Sequence, residues 1–251
     1  MKMKQNFLRF GIILFFLLTV FSFSYASVEV FSKYDTTMKI TSSNTIEVNK
    51  SMALKNVYEV GIVPGQIEFK IGSGTEGSVG NIAITNIFAY DEFGNEIRAT
   101  LRETSTFSTI ILDVFYPLLP GFEYHFDLNY ELMYEPGGIF FKSLNIPIRE
   151  STIPIEDGNF KIILPERYHF TFTDSDSPRY PEFKQNNIIV WDIKDDVPSS
   201  ITFEYSYLPI KLGNFKGSYV FWITLNLLLF VFLIYEVRKE LKRYREEENE
   251  V

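Results

Sequence analysis

From residue 27 to about residue 210, apolar and polar side chains alternate with a period of two through one short run after another. The clearest run is FEYHFDLNYELMY, residues 122–134. Phe122, Tyr124, Phe126, Leu128, Tyr130, Leu132 and Tyr134 hold its even positions; Glu123, His125, Asp127, Asn129, Glu131 and Met133 hold the odd ones. Successive side chains of a strand point to opposite faces, so this register makes one apolar face and one wet face. The same period groups Ile67, Phe69 and Ile71, and likewise Ile97, Ala99 and Leu101. It also groups Ile110, Leu112, Val114 and Tyr116, then Ile201, Phe203, Tyr205 and Tyr207. No stretch of this region sustains a helical period. The pattern predicts an all-β fold of short, half-buried antiparallel strands.

Turn formers punctuate the runs. Asp91 and Gly94 in YDEFGNEI (90–97) predict a hairpin, and Asp157-Gly158 in IEDGNFKI (155–162) a second one. Pro136, Gly137 and Gly138 end the longest run and mark the best internal boundary. The expectation is two consecutive antiparallel β-sandwich domains outside the membrane, 27–135 and a smaller 136–210; one continuous sandwich is the alternative. LNIPI (144–148) and TIPI (152–155) belong on a sheet rim or between domains, because proline has no donor for a central ladder. GSGTEGSVGN (72–81) is glycine-rich, but a strand follows it and it carries no lysine, which argues against a phosphate-cradling loop.

Both ends depart from the alternation. Residues 1–26 read as a signal peptide: Lys2, Lys4 and Arg9, then an apolar run, then Ser24-Tyr25-Ala26, with cleavage between Ala26 and Ser27. An uncleaved anchor is the other reading. SYVFWITLNLLLFVFLIYEV, residues 218–237, fits a C-terminal transmembrane helix, after a juxtamembrane linker at 211–217. Tyr219, Trp222 and Tyr235 stand near its ends, where amphipathic rings prefer the headgroup layer. Arg238, Lys239, Lys242, Arg243 and Arg245 follow it, against Lys211 and Lys216 before it. That asymmetry puts the tail, 238–251, in the cytoplasm and the β region outside a cell membrane, a single-pass type I arrangement. Val237, Leu241 and Tyr244 extend an apolar stripe into the tail, so the helix continues past the bilayer.

Charge then divides by compartment. Of 24 basic and 32 acidic residues, the leader holds three basic ones and the tail five basic and six acidic. The external region keeps 16 basic and 26 acidic groups, a net charge of −10, which argues against a nucleic-acid partner. The chain has no cysteine, so the exported region is held by its apolar core and not by disulfides.

Candidate chemistry is sparse. Glu123, His125 and Asp127 share one strand face and offer at most three metal ligands; a solvated sheet face explains them without a metal. His169, the second histidine, lies in another strand run. No nucleophile elbow and no identifiable carboxylate couple appears, so the sequence points to no catalytic residue and no cofactor. The acidic stretch TDSDSPRYPEF (173–183), with Asp192, Asp195 and Asp196 downstream, lacks the spacing of a calcium loop. Asn49-Lys50-Ser51 fits a glycosylation acceptor. Asn226, inside the apolar run, either recruits another membrane helix by hydrogen bonding or faces lipid at modest cost.

The strand-turn-strand around Asp91-Glu92-Phe93-Gly94-Asn95, PLLPGFEYHFDLNYEL (117–132) and FKIILPERY (160–168) together resemble archaeal and bacterial single-pass membrane proteins with ribophorin I-like or related uncharacterised ectodomains. The resemblance spans most of residues 30–210. It implies a non-catalytic ectodomain, an accessory subunit of an envelope complex, and it carries over no catalytic or ligand residue. Three functions are weighed. The first is an interaction or structural module whose partners are the bilayer, through 218–237, and other envelope or membrane proteins. The second is a subunit that recognises a glycan or peptide; the third, more remote, is a hydrolase. Aromatic residues make up 17% of the chain and serve either a core or a binding face. A contiguous exposed aromatic patch is the feature that separates the two.

Overall fold

The alternating runs fold into strands that pair in three sheets. The computed structural model describes residues 27–42, 45–72, 83–104, 107–133, 138–147, 153–175, 182–185, 187–193, 200–208, 210 and 215–248. Their elements are β1 (Glu29–Ser42), β2 (Thr45–Asn56), β3 (Gly65–Gly72), β4 (Ala83–Asp91), β5 (Ala99–Glu103), β6 (Phe107–Val114), β7 (Glu123–Met133), β8 (Phe141–Pro147), β9 (Asn159–Ile163), β10 (His169–Ser175), β11 (Glu182–Gln185), β12 (Ile188–Asp192), β13 (Ser200–Ser206) and α1 (Gly217–Glu248). The fold is all-β with one C-terminal helix, as the periodicity predicts. The leader, the glycine-rich loop from 73, the boundary residues 134–137 and the loop from 176 to 181 lie outside the described residues.

A seven-stranded sheet runs β11-β12-β9-β1-β2-β7-β4, and two three-stranded sheets run β10-β13-β8 and β3-β6-β5. In the large sheet, Tyr34 pairs with Met52, Met38 with Val48, Val48 with Tyr130 and Lys50 with Leu128. Paired residues share a face, so these side chains, with Phe160, Ile162 and Trp191 from β9 and β12, form one continuous apolar surface. Both small sheets join their apolar faces to it in a single core. Phe31 meets Phe69 of β3 at 6.4 Å between ring centroids, and Phe160 meets Trp191 edge-on at 5.9 Å. Each fully buried ring of this kind contributes about 1.5–3 kcal/mol.

Every ladder between described strands is antiparallel except β1–β9, which is parallel. This departs from the expected hairpin at Asp157-Gly158. Residues 154–157 instead run beside β1, with the Phe31 amide donating to the Pro154 carbonyl and the Tyr34 amide to the Asp157 carbonyl. Gly158 is needed there for close approach: a Cβ would come within 2.3 Å of the Tyr34 carbonyl oxygen. The Asp91 turn does form as expected. Gly94 has φ +80°, and the Asp91 carboxylate accepts from the amides of Phe93 and Asn95 and from the Asn95 side chain.

Among the described residues one cation enters the core. Lys50 points inward between Val48 and Met52, donates to the Tyr34 hydroxyl at 2.7 Å and lies 4.7 Å from the Tyr34 ring centroid. Its stem packs as an apolar chain while the ring faces receive the charge. Burial pushes the Tyr130 phenol well up, and the neighbouring Tyr34 adds to the shift.

The two ends of the large sheet differ. At one, Glu29 pairs with Asn56 and Lys55 with Glu123; at the other, Ser42 and Met133 both pair with Thr45. At about 3.3 Å per residue, β1 separates these ends by roughly 45 Å. Ile40 and Thr41, near the second end, line a cavity with Tyr168, Tyr205 and Tyr207, so the β10-β13-β8 sheet sits there. Helix α1 leaves from that sheet. It is long and apolar enough to cross a membrane and runs on to Glu248, with ion pairs Lys239–Glu236 and Arg243–Glu240 along its tail.

Candidate interaction surface

Two loops meet at the end of the sheet opposite the helix, and a single amide fastens them. Asn56, the last residue of β2, is fully buried. Its side-chain nitrogen donates to the Val60 carbonyl at 2.8 Å and the Leu118 carbonyl at 2.9 Å, while its oxygen accepts from the Tyr58 amide at 2.8 Å. Both amide donors and an acceptor site are thus spent inside the protein. The backbone adds a two-bond bridge between Ile62 and Leu118 and bonds from Asn56 to Phe122 and from Gly121 to Asn56. Gly121 has φ +76°, a conformation that favours glycine at this corner.

This frame holds large apolar side chains out in water. Val57, Tyr58, Val60 and Val63 from the β2–β3 loop, and Phe115, Tyr116, Leu119 and Phe122 from the β6–β7 loop, are all exposed. Phe115 and Phe122 are 63% and 62% accessible. Phe93, exposed at the β4–β5 turn, belongs to the same end, since the neighbouring Glu92 amide donates to the His125 carbonyl at the start of β7. Tyr116 stacks on Tyr124 at 5.4 Å with only 12° between the ring planes. Burial, with the charges of Asp91 and Glu92, pushes the Tyr124 phenol up to about 12. The exposed carboxylates Glu59 and Glu92 flank the apolar patch. An apolar centre with a polar, acidic rim is the anatomy of a protein contact surface.

The register of β7 therefore needs one correction. Phe122 belongs with the apolar face by parity, yet it precedes the strand and stands in solvent; Tyr116 and Tyr207 are likewise exposed beyond the ends of β6 and β13. Parity assigns a face only while the strand lasts.

The other candidates fall elsewhere. Glu123, His125 and Asp127 line the wet face of β7, where His125 lies 3.8 Å from Glu123 and Lys55 3.7 Å from Glu123. No cluster of three or more metal-ligating groups occurs among the described residues. His169 starts β10, opposite Ser206 in a different sheet, so the two histidines are not brought together. Asn49 is exposed at mid-strand and its amide donates to Asn129 at 2.6 Å. Asn226 donates to the Trp222 carbonyl of its own helix at 2.8 Å, which uses one of its two amide hydrogens. Tyr219, Trp222 and Tyr235 are exposed on α1, as are Arg238 and Lys239 just after them. Asp174 is exposed one residue before the end of β10, and Asp195 and Asp196 lie outside the described residues, as does Ala26.

Neither loop of the apolar end follows the alternation, although PLLPGF (117–122) falls within a segment that carries the family resemblance. Their signal is composition without alternation: VYEVGIVPG (57–65) and FYPLLPGF (115–122) are apolar, yet broken by proline and glycine.

No family model matches the sequence. An uncharacterised protein of Methanocaldococcus jannaschii is similar, 26% identical over 136 residues that cover 54% of this chain and 92% of that one. Among solved structures, an M1 zinc metallopeptidase from Deinococcus radiodurans is similar at a TM-score of 0.38 and 10% identity, over 72% of this chain and 43% of that one. Native yeast LTA4 hydrolase is similar at 0.37 and 8%, over 70% and 29%. The chain spans less than half the length of these two enzymes, and at such scores we take neither fold nor activity from them.

Proposed function

We propose that this is a single-pass type I protein of the cell membrane whose non-enzymatic ectodomain docks another membrane or envelope protein through the apolar end of its large sheet. The observation that carries the reading is the patch around Phe115 and Phe122, held out by a frame that is itself fully hydrogen-bonded. A side chain that only filled the core would not need such a support. The apolar helix and the basic residues after it support the orientation, with the β region outside and the tail in the cytoplasm.

The test is site-specific photocrosslinking in native membranes. With benzoylphenylalanine at Phe115 or Phe122, one discrete protein is captured; with the same probe at Asn129, on the wet sheet face, none is. Absence of a product at both loop positions, or identical products from Asn129, overturns the proposal.

A second reading, glycan recognition, is favoured by a shallow groove on that wet face. Asn49, Asn86 and Asn129 line it beside the exposed ring of Phe88, and Asn86 adopts φ 52° there. Amides around an exposed ring suit a sugar. Binding of a neutral glycan by the full chain in detergent, lost in Asn129→Ala, decides for this alternative.

A further inference from the structure

Helix α1 does not hang from the ectodomain on a tether. Its first residue, Gly217, is buried, and a Cβ there would come within 2.8 Å of the Thr171 Cβ on β10. Glu204 of β13, 2% exposed, turns its carboxylate to the helix start. One oxygen accepts from the Ser218 amide at 3.1 Å and from the Thr171 hydroxyl at 2.7 Å; the other accepts from the Ser218 hydroxyl. A carboxylate at this place satisfies an otherwise unpaired helical N–H and sits at the positive end of the helix dipole. One turn later Phe221 packs on Phe140 at 6.1 Å and Phe141 at 5.6 Å, so the first turn is clamped to the sheet on two sides.

Around this joint lies a second group of exposed apolar side chains: Ile139, 85% accessible, Phe215, 74%, and the less exposed Phe140 and Tyr207. Helix length decides what covers them. From Gly217 to Tyr235 the chain offers 19 residues before the first acid, Glu236. At 1.5 Å rise these reach about 28 Å, against a hydrocarbon layer of about 30 Å. None of the first turn is spare. If that turn lies at the hydrocarbon boundary, so does everything clamped to it.

We infer that the base of the ectodomain is a second membrane contact, with Ile139, Phe140 and Phe215 seated at headgroup depth in a phospholipid bilayer. The inference rests on the reading of α1 as a membrane span. Aromatic and branched side chains at that depth match the interfacial belt, and Lys216, directly before the helix, suits the phosphate layer. The ectodomain then stands on the bilayer at a fixed angle, held by the Glu204 clamp, instead of swivelling above it.

The chain has no cysteine, so single-cysteine variants label cleanly. Ile139→Cys, Phe215→Cys, Leu229→Cys and Phe122→Cys of the full chain are spin-labelled in phosphatidylcholine vesicles. Collision rates with oxygen and with a water-soluble nickel chelate give the depth of each label. Leu229 reports the membrane interior and Phe122 water. Positions 139 and 215 show nickel collision severalfold below that of position 122, with oxygen collision above it. Nickel access at 139 and 215 equal to that at 122, with 229 still deep, overturns the membrane contact and leaves the span standing. Shielding of 139 and 215 from both reagents also overturns it, since protein and not lipid then covers them. A water-exposed 229 removes the span and the inference together.

Discussion

Two ends of one sheet, roughly 45 Å apart by strand length, both show large apolar side chains to the outside, and they are built by opposite means. The end carrying Phe115 and Phe122 is held by neutral hydrogen bonds that converge on one buried amide, Asn56. The end carrying Ile139 and Phe215 is held by a buried carboxylate, Glu204, that grips the start of a helix. The first patch has the exposed carboxylates Glu59 and Glu92 beside it; the second lies beside the start of an apolar helix. Exposure alone does not give an apolar surface its meaning. Its neighbours do: in the proposals above, a polar rim goes with a protein partner and a place beside a membrane-length helix goes with lipid.

The comparison breaks most severely at Asn56. Asn56→Ala takes the side-chain donor from the Val60 carbonyl, one of two donors from the Leu118 carbonyl, and the acceptor from the Tyr58 amide, at a cost of about 1–3 kcal/mol. Chemical denaturation should show that loss, and photocrosslinking through Phe122 should fall with it while the membrane depth of position 139 stays unchanged. Next comes Glu204→Ala, which strips the helix start of its acceptor and costs about 1.5–3 kcal/mol, the range for hydrogen bonds to a charged group. Here the signature is mobility: a spin label at Ile139→Cys should report faster, less ordered motion, with crosslinking at the far end preserved. Loss of both functions in either variant would mean that the ends are not independent.

The smallest effect is the part that Tyr124 adds, at the Asn56 end, to an alkaline response shared with the buried Tyr130 phenol. Tyr124 has its phenol raised from 10.0 to about 12 by burial and the nearby Asp91 and Glu92 charges. The unfolded chain releases this proton near pH 10 and the folded chain only near 12, so stability is whole below pH 10 and falls as pH rises through that window. Tyr124→Phe should flatten the decline in an alkaline denaturation series; an unchanged slope rejects the assignment. On the acid side Asp91 is held below its ordinary value, first by the Asn95 side chain and then by backbone amides. Its turn therefore keeps its support above the usual carboxylate range and loses it as pH falls through the lowered value.

Much of the fold was legible because alternation encodes burial directly. Tyr124, Phe126, Leu128, Tyr130 and Leu132 are buried as their parity requires, and the Asp91 turn forms around the glycine that permits it. What parity does not encode is where a strand stops, which is why it groups Phe122, Tyr116 and Tyr207 with a buried face they do not join. Nor does it encode partners distant in sequence. Gly158 reads as a turn former, yet it serves close packing against Tyr34, more than a hundred residues away. Asn56 and Glu204 carry no local signal at all: one is the polar end of a strand, the other an acid between aromatic residues in ITFEYSY. Their roles exist only once β6, β7, β10 and α1 have come to them. Gly217 shows the same limit, since a residue expected in a linker is the buried first residue of the helix.

The parallel ladder between β1 and β9 has a consequence for how the chain matures. During synthesis the amino-terminal strands are made first, and the outer edge of β1 has no partner until Phe160 and Ile162 have followed. Through that interval a long row of unpaired amides and carbonyls lies open to any passing strand. A fragment ending at residue 135 keeps that edge bare for good, so such a truncation yields an aggregating product and not a smaller working domain.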